Sequence, residues 1–346
     1  GSIQKLYAED TNLIIFQEDK VNKALIDKDA IYSAEGNAAV TSTNLVIGQI
    51  IPYLGEFGIS TNPESFAVFG FSKYFVDRQK GSVLRLSRDG ITEISEYGMT
   101  DFFRDELAAL DNSNDARIVG GWDVRAKQYV VSIQDQNGVD YQTLGFDERI
   151  NGWVSRFDYK PSIIFSLNND FLSFQDGDYA IYKHYSDNVN RCNFYGVDNK
   201  ASMVFIMNAN PSLMKNFNTI NYEGSNGWEV GFMNSGDTGS DLVNGSWVLN
   251  QDSTAIVKSY DEGKYNDGGV IYRSGFNRKE NRYVANLINN STVKPEEILD
   301  PIGFGDVMSG IKGYFATVAI QTDDTTDPGG FKELFAVGSN IVMSSR

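Results

Sequence analysis

The chain has 346 residues, 41% of them hydrophobic and 13% aromatic, with 33 glycines, which allows a large core and many tight turns. A formal net charge of −16 argues against free nucleic acid as a partner, because phosphate binding needs a surplus of Lys and Arg on one face. The single Cys192 and single His184 exclude an intrachain disulfide, a Cys-based zinc cluster and a His-rich metal site, and any Ser-His-Asp arrangement would have to use His184.

In chain order, NLIIF at 12–16 and the segment 30–32 read as short strands around a polar hairpin at 17–23. An apolar strand at 45–51 is closed by Pro52, and NPES at 62–65 is a turn signal. The stretch KYFVDRQKGSVLRLSRDGITEIS (73–95) then reads as strand, polar turn, strand, Gly turn, strand. Residues 101–110, DFFRDELAAL, form the best helix candidate, with Thr100 or Asp101 as cap and Phe102, Phe103, Leu107 and Leu110 on one face. Strands follow at 118–124, 128–134 and 140–146, and Asn151–Gly152 reads as a type I′ hairpin turn. Further strands fall at 163–167, 171–174 and 179–185, joined by polar turns.

Beyond about residue 190 the cadence changes. Strands are expected at 201–208, along the line 217–230, and near 246–249, 255–259, 270–274, 283–288, 313–320 and 332–343. Residues 234–244 and 323–330 read as exposed loops. No segment approaches the roughly 18 uninterrupted apolar residues of a membrane-spanning helix. The leading Gly1 and Ser2 read as the remnant of a cleaved tag.

The grammar of 73–95 returns at 121–133 (GWDVRAKQYVVSI) and, more distantly, at 275–287 (GFNRKENRYVANL). Each copy turns through basic residues, Arg78 and Lys80, Arg125 and Lys127, Arg278 and Lys279. A hairpin recurring at intervals of about 40–50 residues marks blade-type repeats. The expected fold is all-β: a β-propeller-like series of antiparallel meanders over 1–190, one short helix, and a β-rich part over 191–346 that completes the propeller or forms a sandwich.

Several residues are candidates for chemistry. Asp147 and Glu148 beside Trp153, or Asp101 with Asp105 and Glu106, would have to face each other across a sugar-sized cleft to serve as a glycosidase pair. The acidic loops 111–115, 236–241 and 323–327 are oxygen-rich but lack EF-hand spacing. The run at 87–92 is similar to the Asp-box turn of sialidase propellers, but Asp89 and Gly90 are adjacent, no Trp follows, and that box is a structural turn. His184 reads as a packing residue, Cys192 as a small apolar residue or inert thiol, and the basic turns as solvated hairpin tips. The expectation is no catalytic residue, no cofactor and no metal.

The run YLGEFGIS…NPESFAVFGFSKYFVDRQKGSVLRLSRDGITEISEYGMTDFFRDEL resembles segments of large virion structural proteins of tailed bacteriophages, notably crAss-like and T4-like marine phages. The stretches NFNTINYEGSNGWEV, YRSGFNRKENRYVANLINNS and GIKGYFATVAIQT…KELFAVGSNIVMSSR are similar to the same group. The resemblance implies a tail or portal-proximal structural role, virion location, and other virion subunits as partners in a homo-oligomer. It implies no catalytic residues to carry over, no membrane and no sequence-specific nucleic acid. The alternative reading is a carbohydrate-active or receptor-binding propeller, with a glycan or host receptor as ligand.

Overall fold

The fold is taken from a computed structural model, which describes residues 1–9, 12–32, 38–110, 116–135, 140–235, 241–243, 246–248, 257, 259–260, 265–267, 270–272, 275–287, 310–323 and 329–344. The chain is mostly β, in several antiparallel sheets, and divides into two compact units, Gly1–Ser186 and Asp187–Arg346.

The first unit is a run of consecutive meanders. Meander A has β1 (Ile3–Glu9), β2 (Asn12–Gln17), β3 (Val21–Tyr32) and β4 (Ala38–Pro52). Meander B has β5 (Ala67–Phe69), β6 (Ser72–Asp77), β7 (Ser82–Ser87) and β8 (Gly90–Glu93). The helix α1 (Thr100–Ala109) precedes meander C, with β9 (Arg117–Asp123), β10 (Gln128–Gln134), β11 (Tyr141–Asp147) and β12 (Gly152–Phe157). Meander D is three-stranded: β13 (Pro161–Leu167), β14 (Asp170–Gln175) and β15 (Ile181–Lys183).

Strand alternation explains how the meanders stack. Successive side chains point to opposite faces. In β6 and β7, Phe75, Leu84 and Leu86 join Ile14, Phe16 and Val21 of meander A, while Tyr74, Val76 and Val83 join the core of meander C. In β10, Tyr129, Val131 and Ile133 face meander B, and Val130 packs with Ile164 and Phe171 of meander D. Meanders B and C are thus covered on both faces, which is why their strands read as near-continuous apolar runs. Across the B–C contact, rings stack in series: Phe69 on Trp122 at 4.2 Å, Tyr74 on Trp122 at 5.4 Å, and Tyr74 on Tyr129 at 4.9 Å. Lys73, 3% exposed, is paired with Glu9 of meander A at 2.6 Å.

The helix buries Phe103 and Leu107 in the same B–C core, so it fills the layer between two meanders. Its cap differs from the expectation. Met99 is the N-cap residue and makes no side-chain cap bond, while Thr100 lies inside the first turn. Asn151–Gly152 is also not a two-residue type I′ turn. Asp147 pairs with Gly152 around four loop residues, and Asn151 is left-handed (φ 48°) as the last of them. A two-residue turn with both central residues left-handed does occur at Asn168–Asn169 (φ 49° and 70°), between β13 and β14.

The second unit is built from β16 (Asn193–Phe194), β17 (Val197–Asp198), β18 (Ser202–Met207), β19 (Lys215–Gly224), β20 (Trp228–Ser235), β21 (Asp241–Val243), β22 (Ser246–Val248), β23 (Tyr265–Asp267), β24 (Val270–Tyr272), β25 (Asn277–Lys279), β26 (Arg282–Asn286), β27 (Ile311–Gly313), β28 (Ala316–Thr322) and β29 (Leu334–Met343). One sheet has the order β18–β28–β20; in another, β19 pairs with β26, β27 and β29. Phe217, Ile220 and Tyr222 of β19 share one apolar cluster with Val230, Val318 and Ile320 of the three-stranded sheet. The line 217–230 is therefore two strands, broken at 225–227, and the expected loop 234–244 contains strand β21. Much of the expected strand at 255–259 lies outside the described residues.

The third echo, 275–287, belongs to this unit and turns differently. Lys279 pairs with Arg282 around two residues, with Glu280 left-handed (φ 58°). In the first two copies the turn spans four residues, 78–81 between Asp77 and Ser82 and 124–127 between Asp123 and Gln128, and is held by an aspartate.

Candidate functional site

Three aspartates close β6, β9 and β11, and each is nearly buried: Asp77 1%, Asp123 1% and Asp147 4% exposed. A buried carboxylate is costly unless hydrogen-bonded, and each of these is. Asp77 accepts the backbone N–H of Lys80 at 3.2 Å, the N–H of Gly58 at 2.9 Å and the Ser60 hydroxyl at 2.8 Å. Asp123 accepts the N–H groups of Arg125 and Ala126 at 2.8 and 3.0 Å, and the Tyr185 hydroxyl. Asp147 accepts the N–H of Arg149 at 2.8 Å and its guanidinium at 2.6 Å, and these bonds hold the carboxyl below the usual range. Four residues after each aspartate comes a left-handed residue: Gly81 (φ 68°), Lys127 (φ 57°) and Asn151 (φ 48°). The recurring motif is therefore an aspartate-capped turn.

The candidate acid/base residues are absorbed by this framework. The Glu148 carboxylate accepts the Tyr74 hydroxyl and pairs with Arg85 at 3.3 Å, tying the β11–β12 turn to meander B. Burial and Glu148 together push the Tyr74 hydroxyl upward. Trp153 packs on Phe103 at 4.5 Å and Phe146 at 5.3 Å and donates its Nε1–H to the Ile94 carbonyl at 3.1 Å. Asp101 and Asp105 are exposed on the helix and both pair with Arg104, at 2.6 and 2.9 Å. Glu106, partly buried, is raised by that burial.

The basic turns are mostly exposed, as expected of hairpin tips, but two of their arginines also bridge elements. Arg78 donates to the Leu110 carbonyl at the end of α1. Arg125 pairs at 3.5 Å with Asp170 of meander D, which Lys183 also reaches at 2.8 Å. Arg278 and Lys279 are exposed.

His184 sits between the rings of Phe171 and Tyr159, at 4.8 and 4.9 Å, with Nε2 at 2.7 Å from the Ser173 hydroxyl. Burial lowers its pKa from 6.5 to about 4. Above pH 6.5 the ring is neutral folded or unfolded, so the shift contributes nothing. As pH falls from 6.5 towards 4 only the unfolded chain takes the proton, and stability is lost, by on the order of 3 kcal/mol once both forms are charged. As the chain's single histidine, it gives one imidazole signal by NMR. Its expected midpoint is near pH 4; a midpoint near 6.5 would show that the ring is not buried between Phe171 and Tyr159.

In the second unit, Cys192 is half-buried and lines a cleft of about 380 Å³ with Arg191, Asp198, Asn199, Trp228 and Phe331. Arg191 lies over the Phe331 ring at 5.7 Å. Asp323, from one expected acidic loop, is buried and accepts the Ser259 hydroxyl; residues 324–327, the loop 111–115 and residues 236–240 lie outside the described residues. Among the described residues no cluster of three or more His, Cys, Asp or Glu could hold a metal ion. Also among them, no helix is long and apolar enough to cross a membrane.

Two sheet faces of the first unit carry exposed apolar residues. On meander D, Ile163, Phe165 and Leu167 of β13 share one face with Leu172 and Phe174 of β14 and Ile181 of β15. Ile163, Leu167 and Ile181 are 55–58% exposed. On meander A, the face turned away from meander B carries Leu6, Leu13, Ile15, Ile47 and Ile50. Contiguous faces of this kind mark interaction sites more often than isolated apolar residues do.

Residues 189–290 match the family described as Crassvirus muzzle protein C-terminal domain. The match supports a crAss-like phage virion protein. Of the two phage groups the sequence resembles, it is the crAss-like one that this match supports, and the family implies virion association. The matched stretch begins two residues after the second unit does and ends just beyond β26. A search of curated proteins found no match.

Proposed function

We propose that this protein is a non-enzymatic structural component of the phage tail, placed near the portal, which assembles as a homo-oligomer with other virion subunits. The observation that carries the reading is the likeness of residues 189–290 to the Crassvirus muzzle protein C-terminal domain. The side chains agree with it. Asp147 caps a turn and Glu148 joins two meanders, Asp101 and Asp105 pair with Arg104 on the helix surface, and two sheet faces of the first unit expose apolar residues suited to protein contact. In this reading the meanders of the first unit are blades of a β-propeller-type scaffold, and the second unit is a β-sandwich-like module. The net charge of −16 suits a channel wall that DNA slides past without adhering.

The test is composition. Purified particles are dissociated into heads and tails, and each fraction is quantified by mass spectrometry. The chain is expected in the tail fraction, in fixed whole-number proportion to the portal subunit. Recovery only with heads, or loss on washing, would overturn the assignment.

A further inference from the structure

The open faces of meanders A and D are the two ends of a stack whose inner members are covered on both sides. We propose that the exposed face of meander D docks on the exposed face of meander A of a second copy, so that the stacking within one chain continues from copy to copy. The proposal rests on the tail-assembly reading and names the contact through which copies meet.

A on B, B on C and C on D are each one meander face laid on the next. The outer face of D is largely apolar, as the covered faces are: Ile163, Phe165 and Leu167 of β13 lie beside Leu172 and Phe174 of β14, with Phe165 and Phe174 stacked at 5.9 Å and the ion-paired Asp170 and Lys183 on the same face. Covering it with a meander repeats a contact the chain makes three times. The meander face left open in this series is the outer face of A, with Leu6 52%, Ile47 49% and Ile50 54% exposed. A second copy therefore supplies both the surface and its cover, in a head-to-tail arrangement that closes into a ring or continues as a fibre.

Magnitudes decide how the contact behaves. A face of three strands and about five residues spans roughly 14 by 17 Å, on the order of 240 Å². That is well under the roughly 800 Å² per partner of a stable pair, so one contact holds only weakly and gains strength where copies are already gathered. With a net charge of −16, copies repel one another at low salt. Screening over about 10 Å at 0.1 M salt removes that repulsion and leaves the apolar contact. Self-association through these faces should strengthen as salt rises, whereas a basic partner on the acidic surface would be released.

The experiment uses the full chain carrying Ile163→benzoylphenylalanine, mixed as light and heavy isotope copies and irradiated at low and high salt. Expected are light-to-heavy cross-links from position 163 to strands β1, β2 or β4, with yield rising with salt. Adding Phe165→Asp should abolish them while leaving the thermal midpoint within a few degrees, since the side chain points away from the core. Cross-links confined to one copy, cross-links to other segments, or a yield unchanged by Phe165→Asp would overturn the contact. Recovery of the chain with tails alongside any of those outcomes overturns this contact alone and leaves the tail assignment standing.

Discussion

Replacing Gly120 with valine is expected to cost at least about 3 kcal/mol and to lower the thermal midpoint of the first unit by roughly 10 °C. Gly120 lies on β9 facing meander B, where a Cβ would sit 2.0 Å from the Ser65 carbonyl oxygen and 2.7 Å from the Tyr129 hydroxyl. Those atoms are already engaged, since Tyr129 donates to the Ser65 carbonyl at 2.6 Å. The substitution therefore collides with backbone and breaks a buried hydrogen bond at once. Its neighbour Gly121 faces the other way, where a Cβ would meet Ile164 at 2.4 Å. The glycine pair lets β9 approach Ser65 on one side and Ile164 of meander D on the other. Valine favours strands, so an open site would have shown little change or a gain. Gly152→Ala is the control: its Cβ would find its nearest neighbour at 3.9 Å, and the melt should hardly move. Coincident melts for wild type and Gly120→Val would contradict the described meander contact.

Phe103→Ala is expected to remove about 3–5 kcal/mol, the range for deleting a buried aromatic side chain. Phe103 is fully buried between meanders B and C, tilted against Trp153 at 4.5 Å and edge-on to Phe102 at 5.3 Å. The loss has two parts: transfer of the ring out of water, and the cavity that Trp153, Leu107 and Val83 cannot collapse to fill. In urea the midpoint should fall with little change in slope, because the folded state stays as compact as before. A loss under about 1 kcal/mol would mean that α1 lies on the surface and is not part of the layer between the meanders.

Local pattern made much of this fold readable. Alternation in 82–87 marks a strand, and the spacing of Phe102, Phe103, Leu107 and Leu110 marks the helix and its buried face. What escaped depended on contacts between distant residues. Asp77, Asp123 and Asp147 look like ordinary surface carboxylates until the turn each one closes is seen. The signal that could have found them was an aspartate followed four residues later by Gly, Lys or Asn at a left-handed position. Arg78 and Arg125 looked like solvated tips because Leu110 and Asp170, their partners, come from other elements. In the second unit, β18 pairs with β28 more than a hundred residues away, and β19 with β29 likewise, so neither sheet could be composed from sequence order. The candidate surface was hidden for a related reason. A strand buried on both faces and a strand open on one can carry the same apolar residues, and only the stack shows that B and C are covered while A and D end it.

The most direct measurement of the central claim is the protein composition of dissociated, gradient-purified particles. The account predicts this chain in the tail fraction at a constant, whole-number ratio to the portal subunit, retained through high-salt washing. Its absence from washed particles, or its presence with heads alone, would contradict the account.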